Sequence, residues 1–193
     1  MHFCIAIITE DFPTDHVLLT KLAPYYEEDY YNSEDENDKP RPAFLFDSWM
    51  VGGRYGGKLK LNAKQKSEEE DDEYRWQFYD KQRSGRLFRS EFLELCSKNI
   101  RGWFHEEDYY KYCGLRDGYL LVDGCRIKDA LNFDEIATDN FGFIGKDDEV
   151  YVRSYWDGEK WVEVPDEEYE AKVKSSLKNI DGDCYITFVD IHD

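Results

Sequence analysis

Two apolar runs open and close the chain. Residues His2 to Thr9 form a nearly continuous hydrophobic run of strand length, which suits a strand covered on both faces inside a sheet. Cys184 to His192 repeats that pattern at the other end, so the two are expected in the sheet interior, side by side. After Pro13, Thr14 is placed to cap a short helix carrying Val17, Leu18 and Leu22, which Pro24 ends. Pro165-Asp166 opens a second helix with Tyr169, Val173, Leu177 and Ile180 on one stripe, closed by Asp181-Gly182.

Between these elements the pattern turns to period two and to turn signals. Phe44 to Lys58 is an apolar run ending in four glycines, which enclose Arg54 and Tyr55. Such glycine density marks a backbone needing positive φ or close approach. Lys58 to Asn62 alternates, so a hairpin bent at Gly52-Gly-Arg-Tyr-Gly-Gly57 is expected. Asp-Gly pairs begin at 117, 123, 157 and 181. Asp-Gly between β-prone runs is a strong hairpin signal. It predicts Tyr119–Val122 paired with Cys125–Ile127, and Val150–Trp156 paired with Lys160–Val164, with Phe141–Ile144 as a third strand. Leu87, Phe88, Phe92, Leu95 and Cys96 share helical spacing, with Ser84 as a cap. The expected architecture is α+β in one domain, residues 1–193. A mainly antiparallel sheet has the terminal strands central and helices packed on one face, with an inserted glycine-rich hairpin and residues 64–113 as a helical insertion.

Charge changes the picture most. Forty-three Asp and Glu against twenty-five Lys and Arg give a formal net charge of −18. Such a surface repels phosphate backbones, which argues against direct nucleic-acid binding, and it steers the protein toward basic partners. Two clusters concentrate the charge: Glu27, Glu28, Asp29, Glu34, Asp35 and Glu36, then Glu68, Glu69, Glu70, Asp71, Asp72 and Glu73. These are the expected interaction residues, against the plainer reading of solvated acidic loops. Five cysteines without a CxxC pair read as core residues, with no zinc or redox motif. No apolar stretch is long enough for a membrane span, and the N-terminus reads as a strand rather than a signal peptide, so a soluble cytoplasmic protein is expected.

Catalytic signals are incomplete. Gly52-x4-Gly57-Lys58 begins like a phosphate loop, but Leu59 replaces the required Ser or Thr and a strand pattern follows. Asp190 and His192 face the same way on one strand, and His2 joins them if the first strand lies antiparallel alongside. Asp beside His is a minimum for acid–base work, and also an ordinary structural pair. A ligand or hydrolase site would combine Asp47, Arg54, Tyr55, Asp190 and His192; the competing reading ties Arg54 to Asp47 in an internal salt bridge. No cofactor or metal is implied. The rings of Tyr155-Trp-Asp-Gly-Glu-Lys-Trp161 read as cross-strand pairs, and as an adhesive patch if exposed.

Asp47 followed by Gly52-Gly-Arg-Tyr-Gly-Gly57, the middle segment Arg126-Ile-Lys-Asp129 and the terminal Val189-Asp-Ile-His192 together resemble a group of phage and prophage proteins. That group carries a Gly-Gly-Arg-Trp segment and a closing Val-Asp-Cys-His strand. This chain departs at Tyr55 and Ile191, and the likeness omits the acidic loops and residues 64–113. The resemblance implies a viral or mobile-element origin and a bacterial host cytoplasm, and brings no established activity. Joined to the charge, it leads to an acidic, non-enzymatic inhibitor of a basic host protein. The target would be a nucleic-acid-handling or defence complex such as an RNA-guided nuclease.

Overall fold

The computed structural model describes residues 1–27, 42–62, 114–116, 119–136 and 138–192. The expected helical insertion of residues 64–113 and all the acidic interaction residues except Glu27 lie outside the described residues. The fold is α+β. Its main sheet has the order β2-β11-β1-β7-β8, where β2 is Ser48–Val51, β11 is Tyr185–His192, β1 is His2–Thr9, β7 is Gly142–Ile144 and β8 is Val150–Val152. β6 (Gly124–Arg126) pairs with the first half of β11, beside β2. The terminal strands are central and antiparallel from His2↔His192 to Thr9↔Tyr185, while β1 and β7 run parallel.

Period two divides the core. Ile5 and Ile7 of β1 join Leu18 and Leu22 of α1 (Asp15–Leu22), Phe44, Phe46 and Trp49 on one face. Cys4, Ala6 and Ile8 join Tyr169 and Val173 of α2 (Asp166–Leu177) on the other. Successive strand residues point to opposite faces, so the two helices cover opposite sides of the sheet and not one shared side. Both terminal strands therefore need apolar residues at nearly every position; fully burying each such aliphatic side chain stabilises by about 1.5–3 kcal/mol. Thr14 caps α1, its hydroxyl accepting the Val17 N–H at 3.3 Å. Three acidic residues fill the first turn of α2, where the helix dipole favours them.

Two expected hairpins are replaced by other pairings. β2 pairs with β11, whereas β3 (Leu59–Asn62) pairs with β5 (Tyr119–Val122) in a second sheet of order β3-β5-β4, β4 being Gly114–Arg116. The glycine segment between β2 and β3 is thus a crossing between sheets and not a turn within one. The Asp123-Gly124 step does the same between β5 and β6. Asp123 is 1% exposed, and its carboxylate accepts the Gly57 N–H at 2.6 Å, so it serves the interior and not a surface turn. Asp157-Gly158 does close a hairpin, of β9 (Ser154–Trp156) and β10 (Trp161–Glu163). β8 is separate from it and pairs with β7.

Candidate functional site

The glycine segment 52–57 wraps two buried carboxylates. Gly52 and Gly53 have φ of 71° and 54°, in the left-handed region that side chains rarely adopt. A Cβ on Gly52 would lie 2.5 Å from the Asp123 carboxylate, and one on Gly53 would lie 2.4 Å from Asp190 Cβ. The glycines let backbone amides reach these acids: Arg54 N–H donates to Asp190 Oδ2 at 2.9 Å and Gly57 N–H to Asp123 Oδ1. Lys58 then leads directly into β3, with its ammonium 5.6 Å from the Phe188 ring centroid, so no helix follows the glycines.

Antiparallel pairing of β1 and β11 brings His2 to this place. Its Nδ1–H donates to Asp190 Oδ1 at 2.9 Å, and Tyr55 Oη donates to the His2 carbonyl at 3.0 Å. His2 Nε2 is buried without a hydrogen-bond partner. The His2 and His192 rings meet edge to face with centroids 4.9 Å apart. His192 Nδ1 in turn pairs with Asp47 Oδ1 at 3.0 Å, and Ser48 Oγ donates to the same oxygen at 2.8 Å.

The structure thus brings Asp47, His192, His2, Asp190 and Tyr55 into one chain of contacts. Arg54 joins only through its backbone. Its exposed guanidinium makes no ion pair among the described residues, and Asp47 pairs with His192 instead of Arg54. Cys4 lies opposite Asp190 in the register, which sequence reasoning missed. Burial, with the neighbouring acids, pushes its thiol up to about 12 against the opposing pull of Lys58, which leaves it a poor nucleophile near neutrality. The arrangement has the parts of a proton relay, but His2 Nε2 is enclosed. Its evident work is to seat the glycine segment on the sheet. Among the described residues no three His, Cys, Asp or Glu side chains converge to hold a metal.

A second candidate surface lies on the hairpin β9–β10 and the start of α2. Residues 154–170 contain Asp157, Glu159, Glu163, Asp166, Glu167, Glu168 and Glu170 against the single base Lys160. Asp166 pairs with Arg153, Glu168 with Lys172 at 2.6 Å and Glu170 with Lys174 at 2.7 Å. Asp157, Glu159, Glu163 and Glu167 are exposed and form no ion pair among the described residues. Backbone N–H groups of Glu159 and Lys160 hold the Asp157 carboxyl below its usual range. Trp156 and Trp161 pair edge to face across the hairpin, leaving Tyr155 39% and Trp161 53% exposed. The cross-strand ring pair anticipated from Tyr155–Trp161 is Trp156 with Trp161; Tyr155 stands opposite Val162, so the two exposed rings lie on opposite faces of the hairpin and do not form one patch.

Beside it opens a cleft of about 320 Å³ lined by Pro42, Ala43, Val150, Tyr151, Val152, Tyr155, Trp156, Val164, Tyr169 and Lys172. Sequence reading missed the cleft because its lining joins residues more than a hundred positions apart; the clustered rings at 151, 155 and 156 were its only local trace. Tyr169 is fixed at the back, its hydroxyl donating to Asn140 Oδ1 and its ring 4.6 Å from the Arg153 guanidinium. Of the anticipated acidic clusters, Glu27 alone is described: half-buried, its N–H donating to the Phe46 carbonyl at 2.9 Å. No helix among the described residues is long and apolar enough to cross a membrane. Comparison with family models, curated proteins and solved structures finds no match.

Proposed function

We propose that the chain is an acidic interaction protein of phage or mobile-element origin. It binds a basic surface on a host nucleic-acid-handling or defence protein and blocks it. What carries this reading is the stretch of residues 154–170, where Asp157, Glu159, Glu163 and Glu167 stand exposed with no ion pair among the described residues, near exposed Tyr155 and Trp161, on a chain of net charge −18. Carboxylates in such density compete for a groove that otherwise holds phosphates, and tyrosine and tryptophan add contact area at low entropic cost. The rival ligand or hydrolase reading needs Arg54 and His192 to line one cavity. Support for it stops at the Asp–His couples, since the Arg54 side chain takes no part in them. The phage origin rests on the resemblance of Gly52–Gly57, Arg126–Asp129 and Val189–His192.

The test is capture of partners from a bacterial lysate on the immobilised protein at low and at high salt. The reading expects basic nucleic-acid-handling proteins to be retained at low salt and released as salt screens the carboxylates. Recovery of no such protein at low salt would overturn it.

A further inference from the structure

β8 is the outer strand of the main sheet, beyond β7. Phe143 pairs with Tyr151 in the ladder, and the flanking bonds are Arg153 N–H to the Phe141 carbonyl at 2.9 Å and Gly145 N–H to the Glu149 carbonyl at 2.8 Å. Residues 149 and 151 and the Arg153 N–H therefore turn toward β7, while the Arg153 carbonyl accepts the Val164 N–H at 2.7 Å. In an antiparallel pair the residues between them turn N–H and C=O the other way. Val150, half-buried, and Val152, 7% exposed, turn theirs toward the cleft, where no described residue bonds them.

The cleft follows this edge. Val150 and Val152 belong to the α1 side of the sheet, while Tyr151 packs with Phe143 on the α2 side, yet all three line the one cleft. Residues of both faces meet in a single cleft at a strand's edge. Edge strands are commonly blunted by a charge or a proline; Val150-Tyr151-Val152 carries neither. Tyr155 and Trp156 wall the cleft, and Glu163 and Glu167 stand exposed in the adjoining segments. The one ammonium in the lining, Lys172, is held by Glu168.

We infer that β8 accepts an extended, arginine- or lysine-bearing segment of a basic protein as an added strand, with its cationic side chains against Tyr155 and Trp156. This rests on the reading that the chain binds a basic protein, and names where and how. Main-chain hydrogen bonds to Val150 and Val152 supply affinity and alternate side-chain positions supply selectivity. A cation over an aromatic ring adds to both.

The probe is a short fluorescent peptide alternating arginine and threonine, titrated with the full chain at low salt. Two further versions carry N-methyl groups on one or the other alternate set of backbone amides. The expected result is binding of the parent, a loss of at least about tenfold for one methylated set and little for the other. Amide hydrogen exchange at Val150 and Val152 should slow on binding. Equal binding of both methylated peptides, with exchange at Val150 and Val152 unchanged, overturns strand addition and leaves the acidic-surface reading standing. Failure of any cationic peptide to bind overturns both.

Discussion

His2 and Asp190 lie 188 positions apart in the chain and share a 2.9 Å hydrogen bond in the interior. Asp190, 3% exposed, also accepts the Arg54 N–H. One carboxylate thereby ties together the first strand, the last strand and the glycine segment that crosses between sheets.

Removing that carboxylate strands two donors. Asp190→Ala is expected to lower stability by about 2–4 kcal/mol, because unpaired buried donors carry a desolvation cost on top of the lost bonds. Asp190→Asn, which keeps one acceptor oxygen, should cost about half as much. Urea unfolding of both variants measures this; equal, negligible losses would show that the contact is not a structural tie.

Gly53 is constrained twice, by a φ of 54° and by Asp190 Cβ at 2.4 Å from any added Cβ. Gly53→Ala should therefore destabilise by about 2–4 kcal/mol, where an ordinary glycine-to-alanine exchange inside a helix or strand stabilises by roughly 0.5–1 kcal/mol. The control is Gly158→Ala: its φ is 106° but nothing lies within 4 Å of the added Cβ. Its loss reports backbone strain at a φ less favourable to a side chain than that of Gly53, so a larger fall in urea midpoint for Gly53→Ala marks the steric clash with Asp190.

The elements legible in the sequence are those decided locally. β1 and β11 announce themselves by continuous apolar runs, α1 by Thr14 and α2 by Pro165 with its stripe. Partner choice is decided elsewhere. Gly52–Gly57 looks like a hairpin bend because glycines signal turns, whereas here they let amides approach Asp123 and Asp190. Asp123-Gly124 misleads in the same way, since a turn aspartate and a buried acceptor are the same letter. The side of the sheet taken by each helix depends on crossing geometry, which a stripe of apolar residues does not encode. At the site, period two placed Asp190, His192 and His2 on one face. It could not show that Arg54 contributes a main-chain N–H, which nearly every residue carries.

Tyr169 joins α2 to the loop before β7. It is fully buried, and its hydroxyl donates to Asn140 Oδ1. Tyr169→Phe keeps the ring against Arg153 but removes the hydroxyl that donates to Asn140, for an expected loss of about 1–2 kcal/mol. Urea unfolding of parent and variant measures this, and an unchanged midpoint would show that the hydroxyl is not a structural tie.

Alkaline pH should weaken the fold through groups held neutral inside it. Burial pushes the Cys4 thiol from 9.0 up to about 12, and burial raises the Tyr169 phenol as well. These groups keep their protons when folded and lose them when unfolded, so above pH 9 the unfolded chain binds fewer protons and stability falls. The Cys4 share is fully present below pH 9 and disappears between there and about 12. Stability against pH in urea should slope downward over that window by up to about 1.4 kcal/mol per pH unit for each group. Cys4→Ala should flatten the slope, whatever it costs at pH 7.

Three carboxylates on the acidic surface, at Glu159, Glu163 and Glu167, make no ion pair among the described residues and are exposed. Reversing all three to lysine removes no ion pair; Glu159 and Glu163 should each cost about 0.5 kcal/mol or less, and Glu167, in the first turn of α2, up to about 1 kcal/mol through the helix dipole. Binding of an arginine-rich peptide is a different matter. Each reversed charge turns attraction into repulsion, and three together should weaken binding about tenfold or more at low salt, at up to about 1 kcal/mol per exposed pair. Near 1 M salt, where the screening length falls to about 3 Å, parent and variant should converge. A triple variant that binds as tightly as the parent at low salt would move the working surface away from residues 154–170.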